Sequence, residues 1–274
     1  MTGGHSGRGR PPRHPPRSLS DSRRPTARAA VRRHIVPALQ SPRIDSAELR
    51  RYLTVVECEL AMPAPHRFAI DIETISTVDD PDFSDPEHWI PFCVAAGHLA
   101  PGDDEPEVEV LFRSDSSIAA ERRLLDRTID WIAERSESSE PLELVTYNGE
   151  SYDIPILQHR AAEISGSNPG VGVRNRLDLL LYSAEHVDLM QHVVDHRGYH
   201  ASLDDVLDDH DIDADEPTWM GSKVDGSDMP EMGLELLSDR ENPELRDAVR
   251  RYAASDVAPL FELHDKLSGR KVLK

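Results

Sequence analysis

Two carboxylates stand two residues apart in Phe68-Ala69-Ile70-Asp71-Ile72-Glu73-Thr74. The apolar residues around them predict a short buried strand, and alternate side chains of a strand share a face, so Asp71 and Glu73 point the same way. Their Cα atoms are then roughly 6.5–7 Å apart, close enough for both groups to turn onto one cation. Burying two unpaired charges side by side costs several kcal/mol, so the pair makes sense where a metal or another cation neutralises it. With 51 Asp and Glu among 274 residues, the same spacing also arises in solvated loops, and Asp103-Asp104-Glu105 and Asp211-Ile212-Asp213 read that way. What sets Asp71 and Glu73 apart is the apolar strand, together with two acidic stretches further on.

The first of these is Asn148-Gly149-Glu150-Ser151-Tyr152-Asp153. A strand, Leu142–Tyr147, delivers the chain to a turn at Asn148-Gly149, and Asp153 stands where the next helix begins. Free backbone N–H groups and the helix dipole stabilise a carboxylate there, so a capping role and a chemical role both fit. Asn148 reads equally as a turn residue. The second stretch is Arg251-Tyr252-Ala253-Ala254-Ser255-Asp256-Val257. Tyr252 and Asp256, four apart, share one face of the last helix beside the apolar stripe Val249, Ala253, Val257 and Leu260. The plain alternative is a tyrosine–aspartate hydrogen bond on a helix surface. His186, His192, His196 and His200 offer a zinc-like spacing, but Gly198 interrupts the helix and the segment reads as solvated.

Taken together, the three stretches resemble the three exonuclease motifs of the DEDD superfamily in its tyrosine-containing branch. Asp71-Ile72-Glu73-Thr74 matches Asp-x-Glu, Asn148 to Asp153 matches Asn-x3-aromatic-Asp, and Tyr252 to Asp256 matches Tyr-x3-Asp. The likeness is greatest to stand-alone relatives of the proofreading domain of family B DNA polymerases. Further landmarks are Leu177-Asp178-Leu179, Ser202-Leu203-Asp204-Asp205-Val206 and Lys223-Val224-Asp225-Gly226, and the resemblance covers about residues 66–268. It implies a ribonuclease H-like α/β fold, with a mixed five-stranded sheet flanked by helices.

The implied activity is metal-dependent 3′–5′ exonucleolytic hydrolysis of single-stranded nucleic acid, DNA favoured over RNA, by a two-metal-ion mechanism with Mg²⁺ or Mn²⁺. The resemblance assigns Asp71, Glu73, Asp153 and Asp256 to the metals and Tyr252 to the attacking water. Thr74 and Asn148 become substrate contacts, and Lys223, otherwise a lone surface lysine, could meet phosphate. Two alternatives stay open: a ribonuclease or endonuclease of the same fold acting on RNA or RNA/DNA hybrid, and a catalytically silent nucleic-acid-binding domain.

The elements that must position these residues follow from periodicity. Ile90–Leu99 and Glu107–Phe112 predict strands that continue the first as an antiparallel meander, after a proline-containing loop from Val78 to Glu87. Ile118–Arg135 carries a helical stripe, Ile154–Ile164 predicts a helix with Pro155 in its first turn, and Ser202 caps a short one. Leu177–Leu181 reads as strand, His186–His196 as helix, and Asp208–Glu241 as acidic loop. Pro243–Leu267 reads as one long helix bent at Pro259. These elements make one α/β domain over 62–274, preceded by an Arg/Pro-rich extension, 1–61, that reads as disordered where it is richest in arginine.

Composition narrows the setting. No apolar run approaches the ~18 residues of a membrane span, and the Arg-rich start lacks the apolar core of a secretory signal. Two cysteines, Cys58 and Cys93, make neither a disulfide framework nor a zinc knuckle, which fits a reducing cytoplasm. The net charge of −20 is uneven: residues 1–44 hold ten Arg and one Asp, which leaves about −29 for the rest, and lysine occurs only at 223, 266, 271 and 274. Such an acidic, lysine-poor body is similar to halophilic proteins. An acidic surface repels phosphate, so binding must come from metal ions, stacking and hydrogen bonds in a local groove. Nothing in the sequence indicates a protein partner.

Overall fold

The computed structural model describes residues 64–136, 141–166, 172–238 and 242–269. The expectations for residues 1–61 and for Cys58 fall outside the described residues. At the centre is β1 (His66–Ser76), which pairs antiparallel with β2 (Trp89–Leu99), itself antiparallel to β3 (Glu107–Phe112). β4 (Leu142–Thr146) joins the other side of β1 in parallel, and β5 (Ala184–Asp188) follows in parallel, giving the order β3-β2-β1-β4-β5. This is the mixed five-stranded sheet of a ribonuclease H-like fold.

The strict alternation of β1 divides the core into two. Phe68, Ile70 and Ile72 face a layer built by α1 (Ile118–Arg135), α2 (Asp153–Ser165) and α3 (Val173–Ser183), with Leu124, Ile132, Ile156, Leu157 and Leu177. Ala69 and Ile75 face the opposite layer, which holds α4 (Leu189–Arg197), α5 (Leu203–Asp209), α6 (Met229–Ser238), α7 (Pro243–Val257) and α8 (Leu260–Ser268). Asp71 and Glu73, in phase with Ala69 and Ile75, therefore project toward α7. α7 lies close to the sheet: a Cβ on Gly97 of β2 would come 2.7 Å from Val257 and 2.9 Å from Phe261. On the first layer, buried Glu121 of α1 accepts two bonds from Arg160 of α2, at 2.6 and 2.9 Å, and lies 3.5 Å from Arg113. That network ties the two helices together beneath the sheet.

Several elements differ from the expectations. Leu177–Leu181 is helical, part of α3, because Val173 and Leu177 at four-residue spacing bury one helix face while Leu179 stays exposed. The segment beginning at His186 starts as β5 and becomes helix only at Leu189. The acidic stretch after Asp208 contains a two-stranded hairpin, β6 (Thr218–Trp219) and β7 (Ser222–Lys223), and then α6, whose Met229, Met232, Gly233 and Leu236 make a helical stripe. The closing helix is two helices, with Pro259 as N-cap of the second. Among the described residues no helix is long and apolar enough to cross a membrane.

Candidate active site

β1 runs past the end of its parallel partner. β4 pairs with β1 only as far as Ala69, so further along the backbone N–H groups on that side lack a strand partner. The carboxylate of Asp153, first residue of α2, fills one such gap: its Oδ1 accepts from Ile72 N at 3.0 Å. The N-cap position itself is Tyr152, which makes no side-chain cap, and the Asp153 carboxylate lies between its own backbone N–H at the helix start and that of Ile72 on β1. On β1 the pairing with β2 slips between Glu73 and Thr74, a bulge just where the second carboxylate leaves the strand.

Asp71, Glu73 and Asp256 of α7 converge: one oxygen from each lies within 4.8 Å of the others. Among the described residues this is the one group of three or more carboxylate, imidazole or thiolate side chains so arranged. Glu73 is 7% exposed and its Oε1 is buried without a hydrogen-bond partner. Burial pushes the carboxyls of Asp71 and Glu73 well above their ordinary range, and the neighbouring carboxylates, Asp153 and Asp256 among them, push in the same direction. Asp153 and Asp256 are each raised to about 7, again by burial first. A set of buried and half-buried, mutually repelling oxygens, one of them orphaned, fits a hard divalent cation.

Tyr252 stands one turn before Asp256 on the same face of α7, with its hydroxyl beside the Asp256 carboxylate. Burial and then the charges of Asp256, Glu73 and Asp71 hold its phenol protonated well above the ordinary value of 10. A Cβ on Gly226 would sit 3.3 Å from that hydroxyl, so the hairpin exit packs directly against it. The surrounding groove, of about 650 Å³, is lined by Asp71, Tyr252 and Asp256 together with Ser202, Lys223 and Asp225. Lys223 is held by Glu216 at 2.7 Å and Asp204 at 3.8 Å.

Thr74 hydrogen-bonds the Tyr152 hydroxyl at 2.8 Å, which joins the first and second motifs. Asn148 is in the left-handed region, φ 65°, a conformation rare for any residue but glycine. Of the landmarks, Ser202–Asp204 and Lys223–Gly226 reach the groove. Leu177–Leu179 does not: it lies in α3, on the other face of the sheet. The histidines also disperse. His186 pairs with Thr146 Oγ1 at 2.9 Å, His196 with the His192 carbonyl at 2.8 Å, and His200 with Met190 at 3.1 Å.

Two features had no motif to announce them. Asp188, at the end of β5, accepts from Asn148 N and Glu150 N, both at 2.9 Å. An Asp before the apolar start of α4, which it caps, is its only sequence signal. Phe83, 70% exposed on the loop after β1, packs against Trp89 and Tyr152 with ring centroids 4.9 and 6.0 Å away.

Comparison with known proteins agrees with this architecture. The RNase H superfamily matches residues 93–268, a span that begins within β2 and so leaves out β1 with Asp71 and Glu73. Among solved structures, one of exonuclease I is similar at 12% identity and a TM-score of 0.38, over 67% of this chain and 43% of that one. E. coli exonuclease I with a 5cy-dT13 oligonucleotide is similar at 13% identity and a TM-score of 0.31, and with 5cy-dA13 at 12% and 0.32, each over 67% of this chain and 42% of that one. This chain thus spans less than half the length of those structures. No curated protein matches. With the match covering well over half its residues, and the sheet order and flanking helices in agreement, the chain belongs to the RNase H superfamily.

Proposed function

We propose that this chain is a divalent-metal-dependent 3′–5′ exonuclease of the tyrosine-containing DEDD branch, related to family B proofreading domains. Its substrate is single-stranded nucleic acid, DNA in preference to RNA. The observation that carries the reading is the convergence of Asp71, Glu73 and Asp256, from two distant segments, to within 4.8 Å around a buried and unpartnered oxygen. Superfamily membership supports nuclease activity.

Asp71, Glu73 and Asp256, with Asp153 as a further carboxylate of the centre, would hold Mg²⁺ or Mn²⁺, which would supply Lewis acidity for water activation and for charge on the leaving oxygen. The chain's own residues do the rest. Tyr252, kept protonated, serves as a hydrogen-bond donor that orients the attacking water rather than as a base. Asn148, in the turn between β4 and Asp153, would contact substrate. Thr74 is fixed by Tyr152 at the edge of the carboxylates. The acidic groove leaves affinity to the metal ions and to short-range contacts.

The test is a digestion panel at high salt with Mg²⁺ or Mn²⁺, comparing 5′- and 3′-labelled single-stranded DNA, duplex DNA, RNA and RNA/DNA hybrid. Mononucleotide release from the 3′ end of single-stranded DNA is expected. Internal cuts, or cleavage confined to hybrid, would assign an endonuclease or ribonuclease instead, and inertness on every substrate would refute the enzymatic reading.

A further inference from the structure

The turn that delivers Asn148 and Asp153 is held by bonds from outside it as well as by its own. β4 ends at Thr146, and the chain must reverse within a few residues to open α2. Asn148 is left-handed there, a conformation that for a non-glycine residue costs on the order of 1 kcal/mol and persists only where the surroundings enforce it. Gly149 is pressed so close to Thr146 that a Cβ would lie 2.5 Å from its side chain. Ser151 N and Tyr152 N both return to the Asn148 carbonyl at 3.1 Å, and Ile154 N reaches the Gly149 carbonyl at 2.9 Å. The position of Asp153 is therefore inherited from the orientation of the Asn148-Gly149 peptide.

One side chain grips that peptide from outside. Asp188 stands opposite Thr146 in the parallel pairing of β4 with β5, is 9% exposed, and spreads its two oxygens over the turn. Oδ1 accepts from Asn148 N at 2.9 Å and Oδ2 from Glu150 N at 2.9 Å. The same Oδ1 accepts from Met190 N at 3.0 Å and so caps α4. Two amides of the turn and one of a neighbouring helix thus share a single buried carboxylate. Electrostatically this is an unfavourable place for a further negative charge, since Asp188 adds to the repulsion felt by Asp153. Its geometry explains it: a carboxylate offers two acceptors at the spacing of two turn amides and no donor to oppose them.

We propose that Asp188 is a positioning residue of this site, which holds Asn148 and Asp153 in register with Asp71 through the backbone of the β4–α2 turn, and touches neither metal nor substrate itself. The inference rests on the proposed reading of Asp153 as part of the metal centre. Asp188→Ser separates its two duties. Serine is a good helix cap and keeps the bond to Met190 N, but it is too short to span the two turn amides. Asp188→Asn keeps the shape and one acceptor while turning a donor toward one of the amides.

The experiment measures Mn²⁺ binding by calorimetry and by the Mn²⁺-induced rise in unfolding temperature, alongside the Mn²⁺ dependence of cleavage. Ser117→Ala serves as control, because Ser117 caps α1 by accepting from Ala120 N, on the layer away from the carboxylates. Partners that orient ligands from behind are typically worth about 10–100-fold in metal affinity. Asp188→Ser is therefore expected to remain folded and to need at least about tenfold more Mn²⁺ in every readout, Asp188→Asn to show a smaller shift, and Ser117→Ala none. A lesser amount of folded protein would lower the signal without moving the half-saturating concentration. If Asp188→Ser binds Mn²⁺ as wild type does, the positioning role is refuted while the metal centre stands. If wild type itself binds no Mn²⁺, the reading beneath it falls as well. Should the serine variant fail to fold, the asparagine variant carries the same comparison.

Discussion

Replacing Asp153 by asparagine should stabilise the protein in the absence of metal. Asp153 is 4% exposed, and its carboxyl is raised from 3.8 to about 7, chiefly by burial. The folded state therefore keeps a proton that the unfolded chain has already lost between those two values. Below about pH 4 the group is protonated in both states and contributes no penalty. As the pH climbs to about 7 the unfolded chain binds fewer protons than the folded one, so stability falls, and above 7 the full cost of a buried charge is present. A displacement of that size corresponds to about 4 kcal/mol. Asparagine keeps an oxygen for Ile72 N but loses the charge-assisted strength of that bond, which returns about 1 kcal/mol or more. A net gain of about 2–3 kcal/mol remains, or about 5–10 °C in unfolding temperature for a domain of this size. The assay is thermal unfolding of both proteins in chelator from pH 5 to 8. The gain should be greatest at pH 8 and fade toward pH 5, and added Mn²⁺ should raise wild type more than the variant. A variant equal to or less stable than wild type at pH 8 in chelator would refute the picture of uncompensated buried carboxylates.

Asp71→Ala and Asp256→Ala should each abolish Mn²⁺-dependent cleavage, by at least about 10³-fold, and remove the Mn²⁺-induced rise in unfolding temperature while leaving the far-ultraviolet dichroism unchanged. Tyr252→Phe should retain Mn²⁺ binding but lower kcat by about 10–100-fold, with KM little changed, as steady-state kinetics would reveal. Arg160→Ala, remote from the carboxylates, should cost about 2–4 kcal/mol in denaturant unfolding, because Glu121 is fully buried and loses two of its bonds. Gly149→Ala should lower both stability and cleavage, since its methyl would overlap Thr146.

How much could be read from the sequence depended on whether a signal was local. Asp71 and Glu73 were legible because strand alternation alone fixes which face they share, and β1 does place them with Ala69 and Ile75 toward α7. Ile118–Arg135 was legible to the residue, its apolar stripe being complete within one segment. Leu177–Leu181 misled because a short apolar run fits a strand or a buried helix equally, and only Val173, one turn earlier, decides. Ala184–Asp188 was hidden for the opposite reason: an edge strand with exposed Glu185 and His186 has little apolar content to mark it, and the histidine spacing pointed to a helix. α6 was obscured by the acidic residues around it, although its stripe is regular. Asp153 was placed at the right junction but with the wrong local partner. Its bond to Ile72 N depends on where β4 stops relative to β1, and no stretch of sequence records that. The grip of Asp188 on the Asn148 turn is hidden in the same way, some 40 residues away along the chain.

The missing side chain at Gly97 acts on the far partner of that assembly. With only a hydrogen there, Val257 and Phe261 settle onto β2, and Asp256, next to Val257, is lowered toward Asp71. A methyl at position 97 would work as a shim, tilting the end of α7 upward while β1 stayed still, and would part the oxygens without altering any of them. The spacing of those three carboxylates is thus set in part from a neighbouring strand, by how near a helix may lie to a sheet.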